Sequence, residues 1–387
     1  MYNKPRLLTP GPTPLPEEVR LALARDMIHH RKPVFKKILA ACQEGLQELF
    51  GTKEPVLVLS ASGTGAMDAA ATNCFKPGEK VLVVEAGKFG ERWREIATAR
   101  GLIPAPLVLE WGKAVRAKDV AEAAAKHPDA VGLLVQASET STGVLHPIQE
   151  LGEVCRANDL LLVVDGISAV GISPCPMDAW GVDCLLTGSQ KGLMLPPGLS
   201  FMALSQQAWE RVEATKPNNF YFNLMAEREK IRTGQTLFTS AVNLVVGLEA
   251  CLAHFREIGL NAVFQKQWAM TMLARTSAQA MGLELLAKEH FTWGLTSVLL
   301  PEGMDGVRLL QIAVDEYGVV FAGGQDRLKG RIVRIGHMGH VDWADVAAGV
   351  QALARSYQRC GGYIGCRDYL EQGLAAYENA LTQHVGC

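Results

Sequence analysis

The sequence predicts an α/β protein: a mostly parallel central sheet with helices on both faces, followed by a smaller C-terminal α+β domain. Three observations carry this expectation. Short apolar runs of strand length alternate with helical stretches through the first half of the chain. Two of those runs, residues 160–164 and 182–186, end in polar residues that stand at one predicted sheet edge, Asp165 and the Thr187–Lys191 stretch. Gly259 punctuates two long helical stretches, after which strands and helices become shorter and mixed. The expected division is therefore 1–258, an N-terminal arm and large domain, and 259–387, a small domain.

The 387 residues suffice for two domains and a large core. With 48% hydrophobic and 20% charged residues, the composition is that of a soluble globular protein. A net charge of −2 points to neither nucleic acid nor an anionic membrane as partner. The N-terminal stretch has no apolar core of signal-peptide length, and no run approaches a membrane span. A cytoplasmic location is expected. Of nine cysteines, Cys42, Cys74, Cys155, Cys184 and Cys251 read as reduced core residues. Cys360, Cys366 and Cys387 cluster toward the C-terminus at spacings that match no zinc pattern.

In order along the chain, residues 9–14 form a stiff extended lead-in, because each proline biases its predecessor away from helix. Residues 17–27 read as a helix. His29, His30 and Arg31 follow in a loop that either contacts an anion or is simply solvated. Val34, Ile38, Cys42, Leu46 and Leu49 recur at helical spacing, giving a helix over 33–50. A strand at 56–59 runs into Ser60-Ala61-Ser62-Gly63-Thr64-Gly65 and a helix over 66–75. Strand, Gly/Ser/Thr turn and helix N-terminus together make an anion site, to which Ser62 and Thr64 add hydroxyls. An ordinary helix cap is the bland alternative. The stretch is no P-loop, for no GKS or GKT follows, and it lacks the third glycine of a dinucleotide fingerprint.

Strands at 81–84, 103–109 and 131–135 then alternate with helices at 89–100, 117–126 and 148–157. A strand over 199–204 and a helix over 209–213 follow, and Pro217, Asn218 and Asn219 break the pattern. Long helices cover 242–258 and 262–281. The small domain reads as strands at 297–300, 319–322 and 331–335, with helices at 307–317, 343–357 and 363–381.

Asp165 and Lys191 lie just past the carboxyl ends of two predicted strands, the edge at which open α/β sheets bind ligands. An amine beside apolar sequence can be desolvated into a nucleophile toward carbonyls. An acid fixed at a neighbouring strand end can hold a protonated ring nitrogen. With the phosphate-type loop, the pair suits pyridoxal 5'-phosphate (PLP), Lys191 as the lysine joined to it and Asp165 as the pyridinium partner. Taken singly, each residue is ordinary punctuation. Ser138 to Gly143 lies at the same edge, with hydroxyls for the ring oxygen or the substrate. Arg334 alternates with apolar neighbours, so its planar guanidinium is either paired inside or solvated outside. His337 and His340 form an HxxH pattern with no third ligand in view.

SASGTGAMDAA, SETSTGV, VVDGISAVG, GSQKGLMLPPG, TLFTSAVN and IVRIGHMG, in this order, resemble the class V, fold-type I PLP aminotransferases, in particular the alanine/serine–glyoxylate branch. PGPTPLP and KFGERW match as well, so the resemblance spans nearly the whole chain. It implies a transaminase acting between alanine or serine and glyoxylate or pyruvate. Lys191 would carry PLP and shuttle a proton, and Asp165 would pair with the pyridinium, with Ile167 beside it. Ser62, Gly63, Thr64 and Gln190 would hold the phosphate, and Thr140 would lie near the ring hydroxyl. Arg334 would bind the substrate carboxylate. Thr236 and Thr239 would reach the phosphate of the other subunit of a homodimer. At the ring-stacking position, where many members carry tryptophan or histidine, this chain reads Phe89. The stretch TSAV lacks the proline common after the threonine, and the tyrosine that some relatives carry at the Thr236 position is absent.

Two other functions compete. A PLP lyase or cysteine desulfurase would use the same fold, with Cys360 or Cys366 as a mobile nucleophile. Those enzymes typically carry histidine before the lysine, and here Gln190 stands there. A non-catalytic role with retained PLP is the other reading.

Overall fold

A computed structural model describes residues 4–383. In chain order its strands are β1 (Arg6–Leu8), β2 (Leu57–Leu59), β3 (Lys80–Glu85), β4 (Ile103–Val108), β5 (Ala130–Gln136), β6 (Ser138–Glu139), β7 (Val144–Leu145), β8 (Leu161–Asp165), β9 (Cys184–Gly188), β10 (Ser200–Leu204), β11 (Leu295–Leu299), β12 (Val319–Gly323) and β13 (Ile332–Gly336). Seven of them form one sheet in the order β2-β10-β9-β8-β5-β3-β4. All pairings in it are parallel except those of β10, which runs antiparallel to β9 and β2. The short link from β9 to β10, carrying Lys191, leaves no room for the helical crossover that a parallel pair requires.

Every residue of β8, β9 and β10 is buried. Consecutive burial of this kind requires cover on both faces, which explains their unbroken apolar sequence. Each fully buried Val or Leu contributes about 1.5–3 kcal/mol relative to exposure. Registers align the functional ends: Gln136 of β5 stands opposite Asp165 of β8, and Asp165 opposite Leu186 of β9.

The second sheet runs β1-β12-β13-β11, with β1 parallel to β12 and the other pairs antiparallel. Two main apolar clusters result. One surrounds the large sheet and reaches Phe255, and the other gathers Met270, Val298, Phe321, Val333 and Leu353 around the small sheet. The arm crosses between them, because Leu8 of β1 belongs to the second cluster.

Several helices match the sequence expectation to the residue: Pro33–Phe50, Ala117–Lys126, Ile148–Ala157 and Val242–Ile258. Others differ. The helix expected from 66 begins at Gly63, so Gly63 and Thr64 are its first two residues. The first helix ends at Leu23, and the last begins at Tyr369, after the glycine-bearing stretch 361–365. The Leu224–Arg232 helix was not expected. It is strongly polar but is capped by the Asn223 side chain, which accepts from Ala226 N.

Candidate active site

Lys191 lies in the turn after β9 and is partly buried. Its Nζ donates to the carbonyl of Pro10, and its own carbonyl accepts from Thr13 Oγ1 at 3.0 Å. The arm closes over the side chain at Gly11, where an added Cβ would lie 2.4 Å from Lys191 Cδ and 2.7 Å from Nζ. Gly11 also has φ +106°, a conformation that side chains rarely adopt. Burial, then the charge of Arg334, lowers the Lys191 amine to about 8, while Asp165 opposes the shift. Near neutral pH a useful fraction of the amine is therefore unprotonated.

Asp165 is buried at the end of β8, and its Oδ1 accepts from Ile167 N at 2.8 Å. Burial pushes the carboxyl up to about 7, with Glu139 adding to the shift and Ile167 N–H, Arg92 and Lys191 opposing it. The Ile167 side chain packs over Gly63: a Cβ there would stand 2.3 Å from Ile167 Cδ1. The phosphate-type loop and the aspartate loop are thus held together. Ser62 is the N-cap residue of the Gly63–Cys74 helix, with its hydroxyl unused for capping. The first N–H groups of that helix have no intrahelical acceptor. Gln190 contributes a buried Oε1 with no partner among the described residues.

Arg334, on β13, reaches this edge from the four-stranded sheet. It is buried, with Nε donating to Gly323 O and Nη1 to Thr140 O, each at 2.8 Å. The structure thereby selects the inside, paired alternative. Burial lowers its guanidinium, and Glu139 counteracts this. Phe89 lies in the first turn of the Lys88–Ala99 helix.

Thr236 and Thr239 stand apart. Thr236 Oγ1 donates to Phe238 O at 2.7 Å, and Thr239 Oγ1 faces His30 Nε2 at 3.5 Å. Among the described residues, neither hydroxyl bonds to the Lys191–Asp165 cluster. Arg31 is a clamp on this segment, donating to Gln235 Oε1, Thr236 O and Leu237 O. His337 is buried between Gln267 and Thr296, and burial lowers it to about 3. Among the described residues, no group of three or more His, Cys, Asp or Glu side chains is placed to hold a metal ion. Cys360 is half-buried and packs against the apolar cluster of the second sheet, and Cys366 donates its thiol to Asp368 Oδ1. Burial raises the first thiol and the bond to Asp368 the second, which disfavours a thiolate at either. Cys387 lies outside the described residues.

Two charged residues of the site escaped sequence reading. Arg92 donates to Thr64 Oγ1 at 3.3 Å and lies 4.8 Å over the Phe89 ring. Glu139 is buried beneath the Phe89 turn. Arg92 sits one helical turn beyond Phe89, within KFGERW, so helical spacing was the available clue.

A lysine past one strand end, an acid at the next and an arginine delivered by the four-stranded sheet stand in the fold-type I PLP-transferase class. The chain belongs to the class-V aminotransferases: the family model described as Aminotransferase class-V matches residues 17–335. It is 36% identical over 356 residues to a Synechococcus sp. protein named soluble hydrogenase, small subunit, covering 91% of this chain and 93% of that one. It is 33% identical over 391 residues to the L-aspartate–glyoxylate aminotransferase of Paracoccus denitrificans, covering 97% and 98%. Among solved structures, the alanine–glyoxylate aminotransferase of Nostoc sp. aligns with a TM-score of 0.86 at 30% identity, covering 92% of this chain and 96% of that chain.

Proposed function

We propose that this transaminase uses PLP to move an amino group between a small amino acid, alanine or serine, and a small 2-oxo acid, glyoxylate or pyruvate. The single observation that carries the reading is the convergence of Asp165 and Arg334 on Lys191, whose amine feels the charge of both. The residues present fit the cofactor. Ser62, Gly63 and Thr64 offer hydroxyls and helix N-terminal N–H groups to a phosphate, and the Gln190 amide has bonding capacity left. Asp165, raised by burial, suits a cationic ring nitrogen. Phe89 and Ile167 supply apolar cover, and Thr140 supports Arg334 through its carbonyl.

PLP, when bound, supplies an electrophilic carbonyl and an electron-accepting ring. The chain's own groups do the rest. Lys191 Nζ, lowered toward neutrality, would hold the cofactor through its amine and can take or return a proton at the substrate α-carbon. Arg334 fixes one carboxylate by charge-assisted hydrogen bonds and so orients the α-carbon. One carboxylate-binding arginine matches monocarboxylic partners.

The same reading includes a homodimer in which Thr236 and Thr239 complete the neighbour's phosphate site. Its support is the exposed aromatic cluster beside them: Phe220 is 85% exposed, and Tyr221 stacks on Phe238 with centroids 5.1 Å apart. Exposed aromatic clusters mark interaction surfaces. The reading also keeps the division into 1–258 and 259–387, supported by the two apolar clusters. A cytoplasmic location accords with the six buried free cysteines. No helix among the described residues is long and apolar enough to cross a membrane.

A donor–acceptor matrix tests the substrate assignment. Each amino acid is mixed with PLP-loaded enzyme and the half-reaction followed by absorbance, then reversed with each 2-oxo acid. Alanine or serine, with glyoxylate or pyruvate, is expected to react fastest. Preference for a dicarboxylic pair would overturn the assignment.

A further inference from the structure

We propose that Glu139 is a positioning residue: with Ser141, its carboxylate caps the Lys88–Ala99 helix from a distant loop and fixes Phe89 and Arg92 against the segment that anchors Arg334. The inference rests on the proposed function for its catalytic consequences.

The helix starts after Gly87, which supplies no side-chain cap. Its first three N–H groups nevertheless all find acceptors in the 139–141 segment. Lys88 N donates to Ser141 Oγ, and Phe89 N and Gly90 N to Glu139 Oε2, each at 3.0 Å. Gln136 Nε2 reaches the same oxygen at 3.0 Å. Ser141 N and Ser141 Oγ donate to Glu139 Oε1 at 3.2 and 2.5 Å. Five donors therefore converge on one buried carboxylate at a helix N-terminus, where negative charge is favoured. An independent observation agrees. A Cβ on Gly87 would lie 2.4 Å from Ser141 Oγ and 2.5 Å from Glu139 Cδ. Its backbone is extended, with φ 168°, so the requirement for glycine is one of space, not conformation.

The cap joins two halves of the site. On the helix side it orients Phe89, and one turn on, Arg92, which contacts the Phe89 ring and Thr64. On the loop side Thr140 lies between the two capping residues, and its carbonyl accepts from Arg334. Glu139 thus acts through other residues.

Glu139→Gln is the test. Three donors face Oε2 and two face Oε1, so an amide NH2 meets opposing donors in either orientation. Hydrogen exchange of the Phe89 and Gly90 amides in the cofactor-free protein is expected to accelerate about tenfold or more. In the PLP-loaded enzyme, kcat is expected to fall and the amino-acid KM to rise, each by about tenfold, with a weaker circular dichroism band from bound PLP. Glu139→Asp should restore part of each. If Glu139→Gln does not fold, Ser141→Ala decides: exchange at Lys88 should accelerate at least about threefold. Unchanged amide exchange, with wild-type KM and PLP dichroism in the folded variant, overturns the proposal, as does unchanged Lys88 exchange in Ser141→Ala. A wild-type protein that binds no PLP would instead overturn the proposed function, while the exchange arm still reads the cap.

Discussion

Asp165 and Lys191, at the carboxyl ends of β8 and β9, sit with charges only partly answered by the protein. Their acidities shift toward each other, up to about 7 and down to about 8. Over residues 236–237 the polar groups are answered locally: Thr236 Oγ1 by Phe238 O, the Thr236 and Leu237 carbonyls by Arg31, and Leu237 N by Glu227. The first region gains from a ligand that supplies opposite charge. The Thr236 and Thr239 hydroxyls bond within their own surroundings, to Phe238 O and His30, so the proposed role at a phosphate calls on a second chain.

The largest expected effect breaks the first region. Lys191→Ala should lower turnover by about 10²-fold to 10⁴-fold or more, measured as the steady-state rate with excess PLP. A variant within tenfold of wild type would remove Lys191 from the chemistry. Arg334→Ala should raise the amino-acid and 2-oxo-acid KM by about 10-fold to 150-fold, equivalent to roughly 1.5–3 kcal/mol, while the bound-PLP absorbance persists. Loss of PLP with unchanged KM would reassign Arg334 to the cofactor or to structure.

Much of this contrast was legible before the fold was known. Strand ends fix Asp165 and the 187–191 stretch because unbroken apolar runs must be buried on both faces and must stop where polar residues begin. Arg334 was legible as a charge within an apolar alternation, but its partners were not. They are backbone carbonyls of Thr140 and Gly323, which carry no sequence signature. Glu139 was unreadable for a similar reason: the two donors that make it a helix cap are backbone amides about 50 residues away. The Leu224–Arg232 helix was missed because it buries few residues and depends on an Asn223 cap.

A smaller effect sharpens the comparison through pH. The folded Asp165 carboxyl binds its proton more tightly than the unfolded one, so it makes the cofactor-free fold less stable as pH rises from about 4 to about 7. Asp165→Asn removes that loss. At pH 8 the cofactor-free variant should melt about 2–8 °C above wild type, and the gap should close toward pH 4. Its PLP affinity should fall. Equal melting temperatures at both pH values would mean that Asp165 carries no shifted acidity.

The smallest effect concerns the second region. Thr236→Ala with Thr239→Ala should weaken PLP binding by about 3-fold to 30-fold, the worth of one or two hydrogen bonds. At a PLP concentration well below the double variant's Kd, mixing it with Lys191→Ala should raise activity above that of the two parents, because exchange places both lesions in one site of a mixed dimer and leaves the other intact. No recovery after proven subunit exchange would mean that each site is built from one chain.

The central claim is that Lys191, held by the arm at Pro10 and Gly11 beside Asp165, is the amine that bonds to the cofactor. Borohydride reduction of the PLP-loaded protein followed by peptide mapping measures this directly. The account predicts the pyridoxyl label on Lys191, and absent from Lys191→Ala. A label on any other lysine would contradict it.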